Sequence, residues 1–219
     1  AVGTDDIPAF LGDAALGALL PRASSFLGIA ETQALLDEVE AGAPALVRQT
    51  VPKPVSLPVY AEVLRRLLEE RLSIRDQRTI LEALAAIGGV EKDPLNLAEF
   101  VRAQLRRSIT HRLAGSAREL PVLVLDSPLE ETIRGALQRT PAGTFLALAP
   151  AVARDIVSSV RNALQSWPAP SRPVLLAQPD IRRFVRKLLE VEFPELEIVS
   201  PVELMPTLQL RAVARAVPN

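Results

Sequence analysis

The side chains that could carry catalysis or bind a metal are few in this chain of 219 residues. Its single histidine, His111, stands among Arg107 and Arg112 near the end of a helical pattern. Flanking cations disfavour an imidazolium and repel a metal ion, so His111 reads as a surface or helix-end histidine. The absence of cysteine removes thiolate nucleophiles, thiolate zinc sites and disulfides, and fits a reducing compartment. The adjacent carboxylates Asp37 with Glu38 and Glu130 with Glu131 leave a helix in different directions, which suits solvated faces better than an acid/base pair. Thr140, Pro141, Ala142 and Gly143 precede a strand-like run, whereas a phosphate cradle follows a strand and opens a helix. Ser127 and Ser171 lie in loop sequence without a histidine partner, and no nucleophile elbow occurs. The chain is not expected to be an enzyme, and neither a cofactor nor a metal is expected.

Two basic clusters raise nucleic acid as a partner: Arg102, Arg106, Arg107 and Arg112, then Arg182, Arg183, Arg186 and Lys187. Glu99, Glu190 and Glu192 lie close to them, and aromatic residues make up only 4% of the chain, too few for a base-stacking platform. Arginines at these positions suit carboxylates of the same or a neighbouring subunit, where the planar fork is useful. A net charge of −1 supplies no global attraction to nucleic acid or anionic lipid. The distribution is less even, with 3 basic and 7 acidic side chains in residues 1–57 against 10 and 8 in residues 58–115.

The elements that must position these groups follow from periodicity. Residues 1–57 read as short helices at 10–20, 31–40 and 45–51, with a bend at Pro21, closed by the proline-rich VPKPVSLP, a stiff and extended linker. Residues 58–115 read as a bundle of three helices. Val63, Leu64, Leu67 and Leu68 line the first. Ile74, Ile80, Leu81, Leu84 and Ile87 line the second, with Ser73 as its capping side chain and Asp76 favouring its start. Leu97, Phe100, Val101, Leu105 and Ile109 line the third, opened by Asp93 and Pro94. In residues 116–219, strand-like runs starting at Pro121, Thr144, Pro173 and Glu197 alternate with helical stretches, which implies a small α/β unit with a mostly parallel sheet. Residues 207–217 read as a final edge strand, with Leu208, Leu210 and Ala212 alternating with polar neighbours. The fold class is therefore α/β, α+β overall: an all-helical bundle followed by a small α/β subdomain. No apolar run approaches the roughly 20 residues that span a bilayer.

Four stretches carry a family resemblance. VLRRLLEERLSIRDQRTILEAL from Val63, EKDPLNLAEFVRAQLRRSI from Glu91, FLGIAETQALLDEVE from Phe26 and PVLLAQPDIRRFVRKLLEVEFPELEIVSPVEL from Pro173 resemble the cytoplasmic domain of the type III secretion export gate family, the large inner-membrane subunit of injectisomes and its flagellar counterpart. The order and spacing match as well. Relative to that family the transmembrane half, the early cytoplasmic strands and a small inserted subdomain are absent, so the chain resembles a C-terminal fragment of such a protein, and Pro21 interrupts a stretch that is helical in the family.

The resemblance implies a role in protein export. Family members sit in the inner membrane through an N-terminal half, while their cytoplasmic domains form a nonameric ring that docks chaperone–substrate complexes and a gatekeeper and takes part in substrate switching. By that implication the membrane contact lies in the missing half, and the helical subdomain supplies the subunit interface, with Arg65, Arg66, Glu69, Arg71, Arg75, Asp76 and Arg78 as candidates. Phe26, Leu27 and Pro58 correspond to the chaperone-docking dimple of flagellar relatives. From the residues alone, the alternative is a small-ligand-binding regulatory α/β domain with a helical oligomerisation module, which a large apolar pocket at the carboxyl ends of the strands would favour.

Overall fold

The computed structural model describes residues 24–141, 143–168 and 172–218. The expected helix at 10–20, the bend at Pro21 and Ser171 lie outside these. The chain divides into two compact units, Ala1–Leu105 and Arg106–Asn219.

Among the described residues the first unit consists of helices α1 (Ile29–Gly42), α2 (Pro44–Thr50), α3 (Leu57–Glu69), α4 (Gln77–Ile87) and α5 (Pro94–Gln104). The core is built where the apolar periodicity placed it: Tyr60, Val63, Leu64 and Leu67 of α3 pack with Ile80, Leu81 and Leu84 of α4 and Leu97 and Val101 of α5, all nearly inaccessible to solvent. Burying each such side chain contributes about 1.5–3 kcal/mol. One polar chain runs through this core: the Tyr60 hydroxyl donates to Gln77 Oε1, and Gln77 Nε2 donates to the Ile74 carbonyl at 2.7 Å. Burial raises the pKa of the Tyr60 phenol, which stays a neutral donor.

Two local expectations are corrected. The VPKPVSLP segment is a turn and not an extended strut. Val51 and Val55 are buried, the Val55 N–H donates to the Thr50 carbonyl, and Pro58 already lies in the first turn of α3. A side chain at Gly88 would approach the Val55 methyl within 2.5 Å and the Leu84 carbonyl within 2.7 Å, so this turn and the end of α4 pack against each other only with glycine there. The cap of α4 is also three residues later than expected. Asp76 is the N-cap, its Oδ1 accepting from Thr79 N–H at 3.1 Å, while Ser73 Oγ accepts from Arg75 N–H at 3.3 Å in the preceding loop. Asp93 caps α5 as expected, through Leu95 N–H at 2.9 Å.

The second unit begins with α6 (Arg106–Ala114), so the long third helix read from the sequence is divided at Leu105. Then follow β1 (Glu119–Leu125), α7 (Ser127–Gly135), β2 (Leu137–Thr140), β3 (Gly143–Leu146), α8 (Pro150–Gln165), β4 (Val174–Leu176), α9 (Arg182–Leu189), β5 (Glu197–Val199), a 3₁₀ turn (Pro201–Glu203) and β6 (Gln209–Ala216). Strands β5, β4, β1 and β6, in that order, form an all-parallel sheet with β6 at the edge. Leu123, Leu125, Leu175, Ile198 and Ala216 meet Leu129, Ile133, Ile156, Val160, Val185 and Leu189 of the helices in one core. α6 packs on β1 and on the 3₁₀ turn.

The run starting at Thr144 does not join that sheet. It forms β3 of a separate antiparallel hairpin with β2, in register Leu137 to Leu146 and Thr140 to Gly143. Parallel pairing needs a crossover of a dozen or more residues, and the two strands are separated by only a tight turn, with Gly143 at φ 125°. The final strand is at an edge as expected, but its alternation is broken. Val122 faces Ala212 and Leu123 faces Ala214, so Val213 is an extra residue, and Leu210 is exposed.

Candidate docking and assembly surfaces

The loop between α3 and α4 carries Arg71, Arg75 and Asp76 of the candidate interface residues, while Arg65, Arg66 and Glu69 lie at the end of α3 and Arg78 at the start of α4. α3 ends in a Schellman motif: Leu72 N–H donates to the Leu67 carbonyl at 2.9 Å and Arg71 N–H to the Leu68 carbonyl at 2.9 Å, with Arg71 between them at φ 57°. Glycine is the usual residue there, because a Cβ in the left-handed region costs about 1–2 kcal/mol. An arginine at that position is a conformational cost within the fold.

The candidates divide by their partners. Arg65 donates to Glu62 Oε2 through Nε (3.2 Å) and Nη2 (2.9 Å), and through Nη1 to the Leu27 carbonyl at 3.3 Å. Arg66 pairs with the other oxygen of Glu62 at 2.8 Å and with Glu69 at 4.0 Å. Burial pulls the Glu62 carboxyl upward, but hydrogen bonds and charge from Arg65 and Arg66 outweigh it and leave the pKa lowered. Arg78 makes an exposed pair with Glu82 one turn along α4, at 3.0 Å, the kind worth a few tenths of a kcal/mol. Asp76 is committed to its cap. Arg75 is exposed, and among the described residues it has no ion-pair partner.

The docking candidates separate in the same way. Phe26, in a turn before α1, is 65% exposed, and Ile29 beside it is exposed as well, whereas Leu27 is only 8% exposed and belongs to the core. Pro58 is exposed on the first turn of α3. Through the bond from Arg65 to the Leu27 carbonyl, the structure ties α3 to the backbone that presents Phe26. Ile29 opens α1 two residues ahead of the helix start read from the sequence.

The two basic clusters dissolve into different environments. Arg102 is buried against Glu70 at 3.0 Å, Arg112 is held by both oxygens of Glu197 at 2.6 and 2.9 Å, and Arg106 and Arg107 are exposed. In the second cluster, Arg182 is fully buried beside Glu203, Arg183 lies over the Phe184 ring at 4.7 Å and Arg186 donates to the Leu196 carbonyl at 3.0 Å. His111 is exposed in the last turn of α6. Among the described residues no His, Asp and Glu side chains gather as a metal site, and no helix is long and apolar enough to cross a membrane.

A helical bundle with a charged, ion-paired elbow, joined to a small parallel α/β unit, defines a two-unit α+β module of the kind found at the carboxyl end of secretion export gates. The chain belongs to the FHIPEP family, which matches residues 13–209. It is 39% identical over 209 residues to the hypersensitivity response secretion protein HrcV of Ralstonia nicotianae, covering 94% of this chain and 30% of that protein. It is 34% identical over 183 residues to the invasion protein InvA of Salmonella typhimurium, covering 83% of this chain and 26% of that protein. The chain thus spans about a third or less of these curated relatives. Among solved structures, the nonameric EPEC SctV-C superposes with a TM-score of 0.87 at 32% identity, covering 98% of this chain and 64% of that one. CdsV in its complex with CdsO from Chlamydia pneumoniae superposes with a TM-score of 0.89 at 35% identity, covering 96% and 62%.

Proposed function

We propose that this chain is the cytoplasmic docking and assembly module of a type III secretion export gate. Copies form a nonameric ring on the cytoplasmic face of the bacterial inner membrane, held there by the transmembrane half of a longer protein. The ring docks chaperone–substrate complexes and a gatekeeper and takes part in export and substrate switching, without catalysis in this module and without binding nucleic acid. The observation that carries this reading is the likeness to nonameric SctV-C over almost the whole chain. In this reading the subdomains are residues 1–57, 58–115 and 116–219. Residues 115–118 are exposed and Gly115 is left-handed at φ 58°, so limited proteolysis should nick between 114 and 119 first. Resistance there with cuts elsewhere would refute that boundary.

A ring needs two different complementary surfaces, and a cation kept exposed beside a helix N-terminus, where positive charge is disfavoured, suits one of them. Arg75 meets that description, and Arg71, held in a glycine conformation, is the second position whose side chain is retained at a cost to the fold. In the full-length, membrane-tethered protein, Arg75→Glu should weaken each interface by about 2–5 kcal/mol and deplete rings in native mass spectrometry, with an unchanged melting temperature. Arg71→Gly should also deplete rings, while in the fold the relief of about 1–2 kcal/mol from the left-handed backbone is set against the loss of the Arg71 side chain's own contacts. Rings of normal abundance in both variants would overturn the assignment of the elbow.

A further inference from the structure

The second unit carries a cleft that none of the surfaces above uses. It has a volume of about 360 Å3, opens at the amino ends of β1, β4 and β5, is floored by Leu113, Leu120 and Val174, and is rimmed by Arg112, Arg172 and Glu197. Its place is unusual. Doubly wound sheets take their ligands at the carboxyl ends of the strands, where the chain order reverses. Here that point lies between β1 and β6, and it is bridged by Arg215 and Asp126 at 2.9 Å.

Charge around the cleft is unevenly neutralised. Glu197 is held by both terminal nitrogens of Arg112, and Glu119, also on the wall, pairs with Arg211, so both carboxylates are engaged. Arg172 is exposed and among the described residues has no ion-pair partner. The adjoining stretch from Arg106 to Arg118 holds four arginines and no carboxylate, and besides Arg112, which is engaged by Glu197, Arg106, Arg107 and Arg118 are all exposed. The field at the cleft is therefore positive although the chain as a whole is not.

We propose that this cleft docks an acidic, amphipathic segment of a partner polypeptide, an aliphatic side chain resting on Leu113, Leu120 and Val174 and a neighbouring carboxylate meeting Arg172. A peptide is favoured over the other anions that such a field would draw. A free phosphate gains nothing from an apolar floor, and a bilayer presents a flat surface to a concave site whose walls also carry two carboxylates. The inference stands independently of ring formation, because every residue it uses lies within the second unit.

The test uses the 219-residue chain and a short fluorescein-labelled peptide in which leucines alternate with pairs of aspartates. Anisotropy should report saturable binding that weakens with added salt, and amide shifts should map it to Leu113, Leu120 and Val174. Arg172→Glu should weaken binding by about tenfold or more and Arg172→Gln by less, both with the parent melting temperature, since neither side chain is packed. Replacing the peptide leucines by serine should abolish the shifts. The proposal is overturned if Arg172→Glu binds as tightly as the parent or if the serine peptide binds equally well. It is overturned also if phosphatidylglycerol vesicles or inorganic phosphate, and not the peptide, move those amides.

Discussion

Replacing Glu203 by alanine should lower the stability of the second unit by about 3–5 kcal/mol, a drop of roughly 15 °C or more in its melting temperature. The reason is the state in which the change leaves Arg182. Its side chain is completely buried, and its Nε stands 3.4 Å from the Glu203 carboxylate, itself only 2% exposed. Ser200 Oγ donates to the same carboxylate at 2.8 Å, and Arg182 Nη1 donates to the Ile198 carbonyl at 3.3 Å. The cluster thus ties the first residue of α9, strand β5 and the turn leading to β6. Without Glu203, a fully buried guanidinium loses the carboxylate beside its Nε. Glu203→Gln keeps the acceptor for Ser200 but not the charge, so it should destabilise nearly as much. Replacing both partners, Arg182→Met with Glu203→Leu, should recover most of the loss, because an apolar pair of similar volume carries no desolvation cost. Circular dichroism melts of the four chains decide the matter. A Glu203→Ala variant within about 1 kcal/mol of the parent would show that the buried pair is not what holds this turn.

Arg102→Ala should have the second largest effect, about 2–3 kcal/mol, less than at Glu203 because the carboxylate left behind reaches water. Arg102 is 3% exposed and Glu70 is 22% exposed, with 3.0 Å between them, so α5 is clamped to the end of α3. Glu70 is the residue before Arg71, and the clamp therefore fixes the elbow that carries Arg71 and Arg75. The expected signature combines two losses, a lower denaturation midpoint and fewer rings, whereas Arg75→Glu should show only the second. Arg102→Lys keeps the charge without the planar fork and should fall between the parent and alanine. Urea denaturation alongside native mass spectrometry separates these outcomes. An Arg102→Ala chain with an unchanged midpoint would mean that Glu70 finds another partner or hydrates without cost.

The sequence by itself determined the elements whose signal is local. The helical stripes of α3, α4 and α5 were legible because each apolar set recurs at the spacing of one helix face, and the α5 start because Asp93 and Pro94 are adjacent. Strands alternating with helices announced a parallel sheet, and the motifs from Phe26 to Leu204 announced the family. Other features depended on what lies across the fold. The hairpin of β2 and β3 looked like one more parallel strand because strand propensity does not say with whom a strand pairs. The bulge at Val213 exists only against its partner β1. The arginines show the limit most clearly. Arg102, Arg106, Arg107 and Arg112 stand within one basic run, yet the first is buried, the last is clamped and the middle two are exposed. Their fates were set by Glu70, 32 residues before Arg102, and Glu197, 85 residues after Arg112. Spacing along a helix fixes which side chains share a face, but a guanidinium's role depends on the carboxylate that the tertiary fold brings to it. Only the packed structure could therefore separate the buried and clamped arginines from those it leaves exposed, Arg75 and Arg172 among them.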